Sequence, residues 1–157
     1  MLAVASTARS RPDAVLERKR IFVVDDDPEM IDLLMFSLRY SDFDIVPFSS
    51  GGALLEHLAD GMLGPEHWLS GKGPKSTFVM PDAVVLDVRM PGVSGLEILR
   101  SLHASEPSTP VVIITAQRDR QTRADALRHG ATTILFKPLD LVELTYALHV
   151  AMDLYSE

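Results

Sequence analysis

Four short runs of β-branched and aliphatic residues each end on a polar residue that can do chemistry. No other feature of this chain limits its fold as strongly. Ile21-Phe22-Val23-Val24 runs into Asp25-Asp26, and Ala83-Val84-Val85-Leu86 runs into Asp87. Val111-Val112-Ile113-Ile114 ends at Thr115, and Thr133-Ile134-Leu135-Phe136 ends at Lys137-Pro138. Continuous apolar runs of this length suit strands covered on both faces, as strands inside a parallel sheet are. In a doubly wound sheet the carboxyl ends of all strands share one edge, and ligands bind there at the topological switch point. The sequence therefore predicts a single pocket that gathers three carboxylates, a hydroxyl and an ammonium group.

The segments between these runs read as helices. Asp27-Pro28 is a helix start, with Asp as N-cap and Pro at the first helical position, and Ile31, Leu34, Met35 and Leu38 follow on one apolar face. A weaker strand is expected over residues 44–48, then a helix capped by Ser49 or Ser50 and carrying Leu54, Leu55 and Leu58. Met90-Pro91-Gly92 forces a turn, and Ser94-Gly95-Leu96-Glu97 has capping-box spacing before Leu99 and Leu102. A polar helix over residues 119–129 stops at Gly130, and a last one begins near Asp140 with Leu141, Leu144, Leu148, Met152 and Tyr155 on one stripe. Five βα units in alternation predict one α/β domain on a parallel sheet. Residues 1–19 read as an arm ahead of a domain spanning 20–157. Residues 61–80, rich in Gly and Pro around Trp68, read as a long insertion in that domain.

Charge and composition narrow the function. Residues 1–20 hold five basic side chains against two acidic ones, a net of +3, which leaves about −10 on the rest of a chain whose total is −7. That balance speaks against a broad nucleic-acid-binding surface. The absence of cysteine excludes disulfides and thiolate metal sites and fits a reducing, cytoplasmic setting. No apolar run approaches the roughly 20 residues of a membrane span.

Three carboxylates brought together repel one another, and a hard divalent cation relieves that repulsion. Mg²⁺ takes oxygen ligands, commonly one or two carboxylates plus a phosphate. Lys137 offers a compact positive charge and Thr115 a hydroxyl donor for phosphoryl oxygens. Asp87, on the central strand, is the natural nucleophile for an aspartyl phosphate. Positioning and charge neutralisation are most of what such a transfer requires.

Val23-Val24-Asp25-Asp26-Asp27-Pro28, Leu86-Asp87-Val88-Arg89-Met90-Pro91-Gly92-Val93-Ser94-Gly95, Ile114-Thr115-Ala116 and Phe136-Lys137-Pro138 together resemble the receiver domain of two-component response regulators. The similarity covers about residues 20–153, apart from the insertion. It implies a CheY-like, flavodoxin-like sheet of five parallel strands in the order 2-1-3-4-5 with helices on both faces. It implies that Asp87 accepts a phosphoryl group from a histidine kinase or phosphotransfer protein. Asp25, Asp26, Asp87 and the backbone carbonyl of Arg89 would hold Mg²⁺, and Thr115 and Lys137 would bind phosphoryl oxygens. A cis Lys137-Pro138 bond is also implied. Thr115 and Ile134 occupy the switch positions, but receivers often carry Tyr or Phe where this chain has Ile134, which has no ring to swing. Arg89 and Gln117 stand where the family tunes phosphate lifetime.

The expected role is a stand-alone phosphorylatable module, a monomer or a phosphorylation-dependent dimer. It would signal to a downstream protein through the face of the fourth helix, fifth strand and fifth helix, without binding nucleic acid or membrane. It would be no enzyme beyond self-phosphorylation from phosphodonors and autodephosphorylation. The alternatives are a receiver cut from a larger transcription factor or hybrid kinase, and a phosphoaspartate-type hydrolase. The hydrolase would want D-x-D where this chain has Asp87-Val88-Arg89, and neither dinucleotide nor P-loop glycine motifs occur. Gly92-Val93-Ser94-Gly95 is not a nucleophile elbow, and the five histidines lack metal-ligand spacing.

Overall fold

Each apolar run is a strand. β1 covers Lys19–Val24, β2 Phe43–Phe48, β3 Ala83–Asp87, β4 Val111–Thr115 and β5 Thr133–Phe136. The helices are α1 (Pro28–Leu38), α2 (Gly51–Met62), α3 (Gly95–Ser105), α4 (Arg120–Arg128) and α5 (Leu141–Tyr155). The computed structural model describes residues 18–39, 41, 43–62 and 80–155. All strand pairs are parallel and the sheet order is β2-β1-β3-β4-β5. The chain thus moves outward from β1 to β2 and then crosses back to β3, so the switch point lies between the ends of β1 and β3.

Alternate residues of each strand enter opposite layers, as a period of two requires. Phe22, Val24, Val84, Leu86 and Ile113 meet Leu54 of α2, Ile98, Leu99 and Leu102 of α3, and Ala126 of α4. Ile21, Val23, Val85, Val112, Ile114 and Leu135 meet Leu34 and Leu38 of α1 and Leu144, Leu148 and Met152 of α5. Every residue of β3 and β4 is buried. At about 1.5–3 kcal/mol for each large aliphatic side chain, this double-sided burial fixes where Asp87 and Thr115 emerge.

The helix starts follow the capping chemistry. Asp27 accepts from the Glu29 N–H, Ser50 from Ala53, Ser94 from Glu97, Asp119 from Thr122, and Asp140 from Val142 and Glu143. Gly130, at φ +105°, closes the turn after α4. Several boundaries differ from the sequence reading. β1 begins at Lys19, which pairs with Phe43, so the first strand takes one residue assigned to the arm. α2 runs through Met62 and takes the first two residues of the expected insertion. Met35 of α1 is exposed, while Ile98 of α3, absent from the leucine series, is fully buried. Residues 1–17, and Trp68 with the rest of 63–79, lie outside the described residues.

Candidate functional site

Among the described residues the buried polar side chains are Asp25, Asp87 and Thr115, and all three stand at carboxyl ends of adjacent strands. Each is held by the same local device, a side-chain oxygen that accepts the backbone N–H two residues on. Asp25 Oδ1 accepts from Asp27 at 2.9 Å, Asp87 Oδ1 from Arg89 at 3.2 Å, and Thr115 Oγ1 from Gln117 at 3.0 Å. Asp25 is further fixed by its own N–H, which donates to Phe48 O at 3.1 Å.

Lys137 reaches the same place from the end of β5. Its N–H donates to Thr115 O at 2.9 Å, and the following peptide bond to Pro138 is cis. Its Nζ lies 3.3 Å from Asp87 Oδ2 and 3.5 Å from Asp25 Oδ2. Asp26 is exposed at the rim. One carboxylate oxygen from each of Asp25, Asp26 and Asp87 lies within 4.8 Å of the others.

The charges do not balance. Burial, and then the neighbouring Asp25 charge, push the Asp87 carboxyl above its ordinary value, against the pull of Lys137. Burial alone would lower Lys137, but Asp87 and Asp25 outweigh it and hold the ammonium above its ordinary value. Both shifts describe two buried carboxylates, Asp25 and Asp87, sharing a single lysine. Asp25 Oδ2 is buried with the Lys137 ammonium at 3.5 Å but no hydrogen bond, which leaves an oxygen of the kind a cation satisfies. An all-oxygen donor set with this excess charge fits a hard divalent ion.

The side chains of Asp25, Asp26, Asp87 and Lys137 are brought together, and Thr115 stands buried at the end of the adjacent strand, joined to Lys137 through its carbonyl. Ile134 is not among them. It pairs with Ile113 on β4 and packs, half-buried, against the α2–α4 layer. Gly95 is a residue the sequence reading took only as part of a cap. A Cβ there would lie 2.2 Å from Asp87 O and 2.6 Å from Val88 Cα, so only glycine lets α3 press on the strand end that carries Asp87. Phe136 also joins the surroundings of the site: it is the register partner of Thr115, and the Arg118 guanidinium lies 4.7 Å from its ring centroid.

The sequence model of the response regulator receiver domain family matches residues 21–149. The chain belongs to that family. This receiver domain is 30% identical over 137 residues to the regulatory protein AtoC of Escherichia coli, covering 87% of this chain and 26% of AtoC. It is 31% identical over 132 residues to the transcriptional regulatory protein FixJ of Bradyrhizobium diazoefficiens, covering 84% of this chain and 56% of FixJ. The receiver thus spans between about a quarter and just over half of these curated relatives. Its fold matches a CheY-like receiver domain protein from Methanospirillum hungatei with a TM-score of 0.72 at 19% identity, covering 87% and 95% of the two chains. The receiver domain of the Francisella response regulator 1452 matches with a TM-score of 0.70 at 20% identity, covering 87% and 98%.

The expected five-stranded, 2-1-3-4-5 architecture is therefore that of the family. Receiver domains are phosphoacceptor switches of two-component signalling rather than enzymes, and they work with histidine kinases or phosphotransfer proteins. Receiver domains bind Mg²⁺ at an acidic pocket, and Asp25, Asp26 and Asp87 form an acidic cluster here whose oxygens lie close enough together to share a metal ion. Among the described residues no helix is long and apolar enough to cross a membrane.

Proposed function

We propose that Asp87 is the phosphoacceptor of this receiver and takes its phosphoryl group from a phosphohistidine. The observation that carries the reading is the placement of buried Asp87 against Lys137 Nζ at 3.3 Å, beside Asp25. Ionised Asp87 attacks phosphorus, an O–P bond forms, and the P–N bond to the donor imidazole breaks. The electron pair returns to the ring nitrogen, which takes a proton. The raised proton affinity of Asp87 makes its carboxylate a better nucleophile, while Lys137 favours the ionised form.

Lys137 then follows the negative charge onto a phosphoryl oxygen, and the Thr115 hydroxyl donates to another. The carboxylates of Asp25, Asp26 and Asp87 with the carbonyl of Arg89 would hold Mg²⁺. That ion, when bound, neutralises carboxylate and phosphoryl charge during transfer. Arg89 and Gln117, which hold the site through their backbone N–H groups, set how long the phosphate lasts. The same chemistry supports self-phosphorylation from small phosphodonors and slow autodephosphorylation, in the cytoplasm. Output passes to a downstream protein over the face of α4, β5 and α5. The acidic balance beyond residue 20 supports a receiver that does not itself touch nucleic acid.

Intact mass after incubation with acetyl phosphate and Mg²⁺ tests the reading. A gain of one phosphoryl group is expected in the wild type and none in Asp87→Asn. An equal gain in Asp87→Asn would move the acceptor elsewhere. A second reading, a receiver within a larger regulator, is favoured by the share of AtoC and FixJ that the chain covers. Reading the gene beyond the codon for Glu157 separates the two.

A further inference from the structure

Thr115 is tied to the surface by two routes. Its Oγ1 accepts the Gln117 N–H at 3.0 Å, which shapes the turn into α4. It also pairs in register with Phe136 on β5, and its carbonyl accepts the Lys137 N–H at 2.9 Å. Only Ala116, Gln117 and Arg118 separate Thr115 from Asp119, whose carboxylate caps α4 by accepting from Thr122 N at 2.9 Å. A linker of only three residues, hydrogen-bonded at both ends, places Arg118 one residue from the Gln117 N–H that Thr115 holds. Arg118 is exposed, and its guanidinium carbon lies 4.7 Å from the Phe136 ring centroid. Among the described residues its side chain has no ion pair. Phe136 is half-buried and shares a strand face with Ile134, two residues earlier. The two routes from Thr115 therefore end on one contact, the guanidinium over the ring.

We propose that the Arg118–Phe136 stack is the contact through which phosphorylation of Asp87 is reported at the surface between α4 and β5. The proposal rests on Asp87 being the acceptor. Thr115 is 1% exposed and its oxygen is committed to Gln117 in the resting state. Turning the hydroxyl to a phosphoryl oxygen carries Oγ1 away from the Gln117 N–H. The turn opens, Arg118 leaves the ring, and one face of Phe136 is uncovered. A cation over an aromatic face at an exposed site is held weakly, so a single lost hydrogen bond is enough to displace it.

Nuclear magnetic resonance of the labelled protein with Mg²⁺ and beryllium fluoride, which stands in for the phosphoryl group, tests this. The Val88 and Arg89 amides report occupancy of Asp87, and the Arg118 Nε–Hε signal reports the stack. In the wild type both should respond, with Hε moving downfield as it leaves the shielding of the ring. In Thr115→Val, with beryllium fluoride raised until the amides report the same occupancy of Asp87 as in the wild type, Arg118 should not respond. In Phe136→Leu the Arg118 signal should already lie downfield and ignore the ligand. Shifted amides with an unmoved Arg118 in the wild type, or an Arg118 response in Thr115→Val equal to wild type, overturn the proposal and leave Asp87 as acceptor. Amides at 88 and 89 that stay still in the wild type, or move equally in Asp87→Asn, overturn the acceptor reading and the proposal with it.

Discussion

Replacing Lys137 with methionine keeps most of the side-chain volume and removes the one cation between two buried carboxylates. Asp25 is 0% and Asp87 5% exposed, and the ammonium sits 3.5 and 3.3 Å from them. At an effective dielectric of about 20, each pair has a raw attraction near 5 kcal/mol, much of it offset by desolvation of the ions. Removing one partner of a buried pair costs about 3–5 kcal/mol. Two features reduce that figure: the lysine side chain is 23% exposed, and Asp87 can take up a proton once the cation is gone. The expected loss is about 2–3 kcal/mol at pH 7 without divalent metal, or a Tm lower by about 4–12 °C. Urea unfolding in chelator measures it. The loss should shrink as the pH falls, and again when Mg²⁺ is added. A variant within about 0.5 kcal/mol of wild type at pH 7, the range of an ordinary surface change, would refute the claim that Lys137 offsets buried charge.

Three further outcomes follow from the same pocket. Because Asp87 is held above its ordinary value of 3.8, the folded protein binds a proton that the unfolded chain has released, and stability falls as pH rises through that interval. Asp87→Asn should therefore unfold at higher urea than wild type at pH 7, with the gap closing near about pH 4; a gap that persists in acid would assign it to another cause. Mg²⁺ at about ten times its Kd should stabilise the wild type by about 1.4 kcal/mol, and Asp26→Ala should abolish most of that shift in calorimetry; an equal shift in the variant would place the ion elsewhere. Gly95→Ala drives a methyl into Asp87 O and Val88 Cα, so it should cost about 1–3 kcal/mol and slow acetyl-phosphate labelling of Asp87. Unchanged melting and labelling would show that α3 moves aside freely.

The fold was legible because burial on both faces leaves an unusual trace, uninterrupted runs such as Val84–Leu86 and Val111–Ile114, and because cap residues such as Asp27 and Ser94 punctuate the helices. The pocket was legible from one assumption, that parallel strands end on one edge. The rest depended on depth and lateral packing, which periodicity does not encode. Met35 has the right spacing for the core but is exposed on α1, while Ile98 is buried although it interrupts the leucine series. The space beside Gly95 is set by the angle at which α3 meets β3, a tertiary quantity. The stack of Arg118 on Phe136 joins two segments whose only sequence clue is that each lies close to a site residue.

The turns that hold Asp25, Asp87 and Thr115 use the peptide N–H of residues 27, 89 and 117, never their side chains. At 89 and 117 these turns make no demand on the side chain. Any residue except proline can supply the N–H, so the mouth of the site can be rewritten in charge, bulk and polarity while the reacting groups stay in place. In the proposed function, chemistry and timing would thus be encoded on different atoms of the same few residues. A library at 89 and 117 would sample lifetimes and partner preferences without sampling loss of the acceptor, and proline at either position should be the substitution that destroys both together.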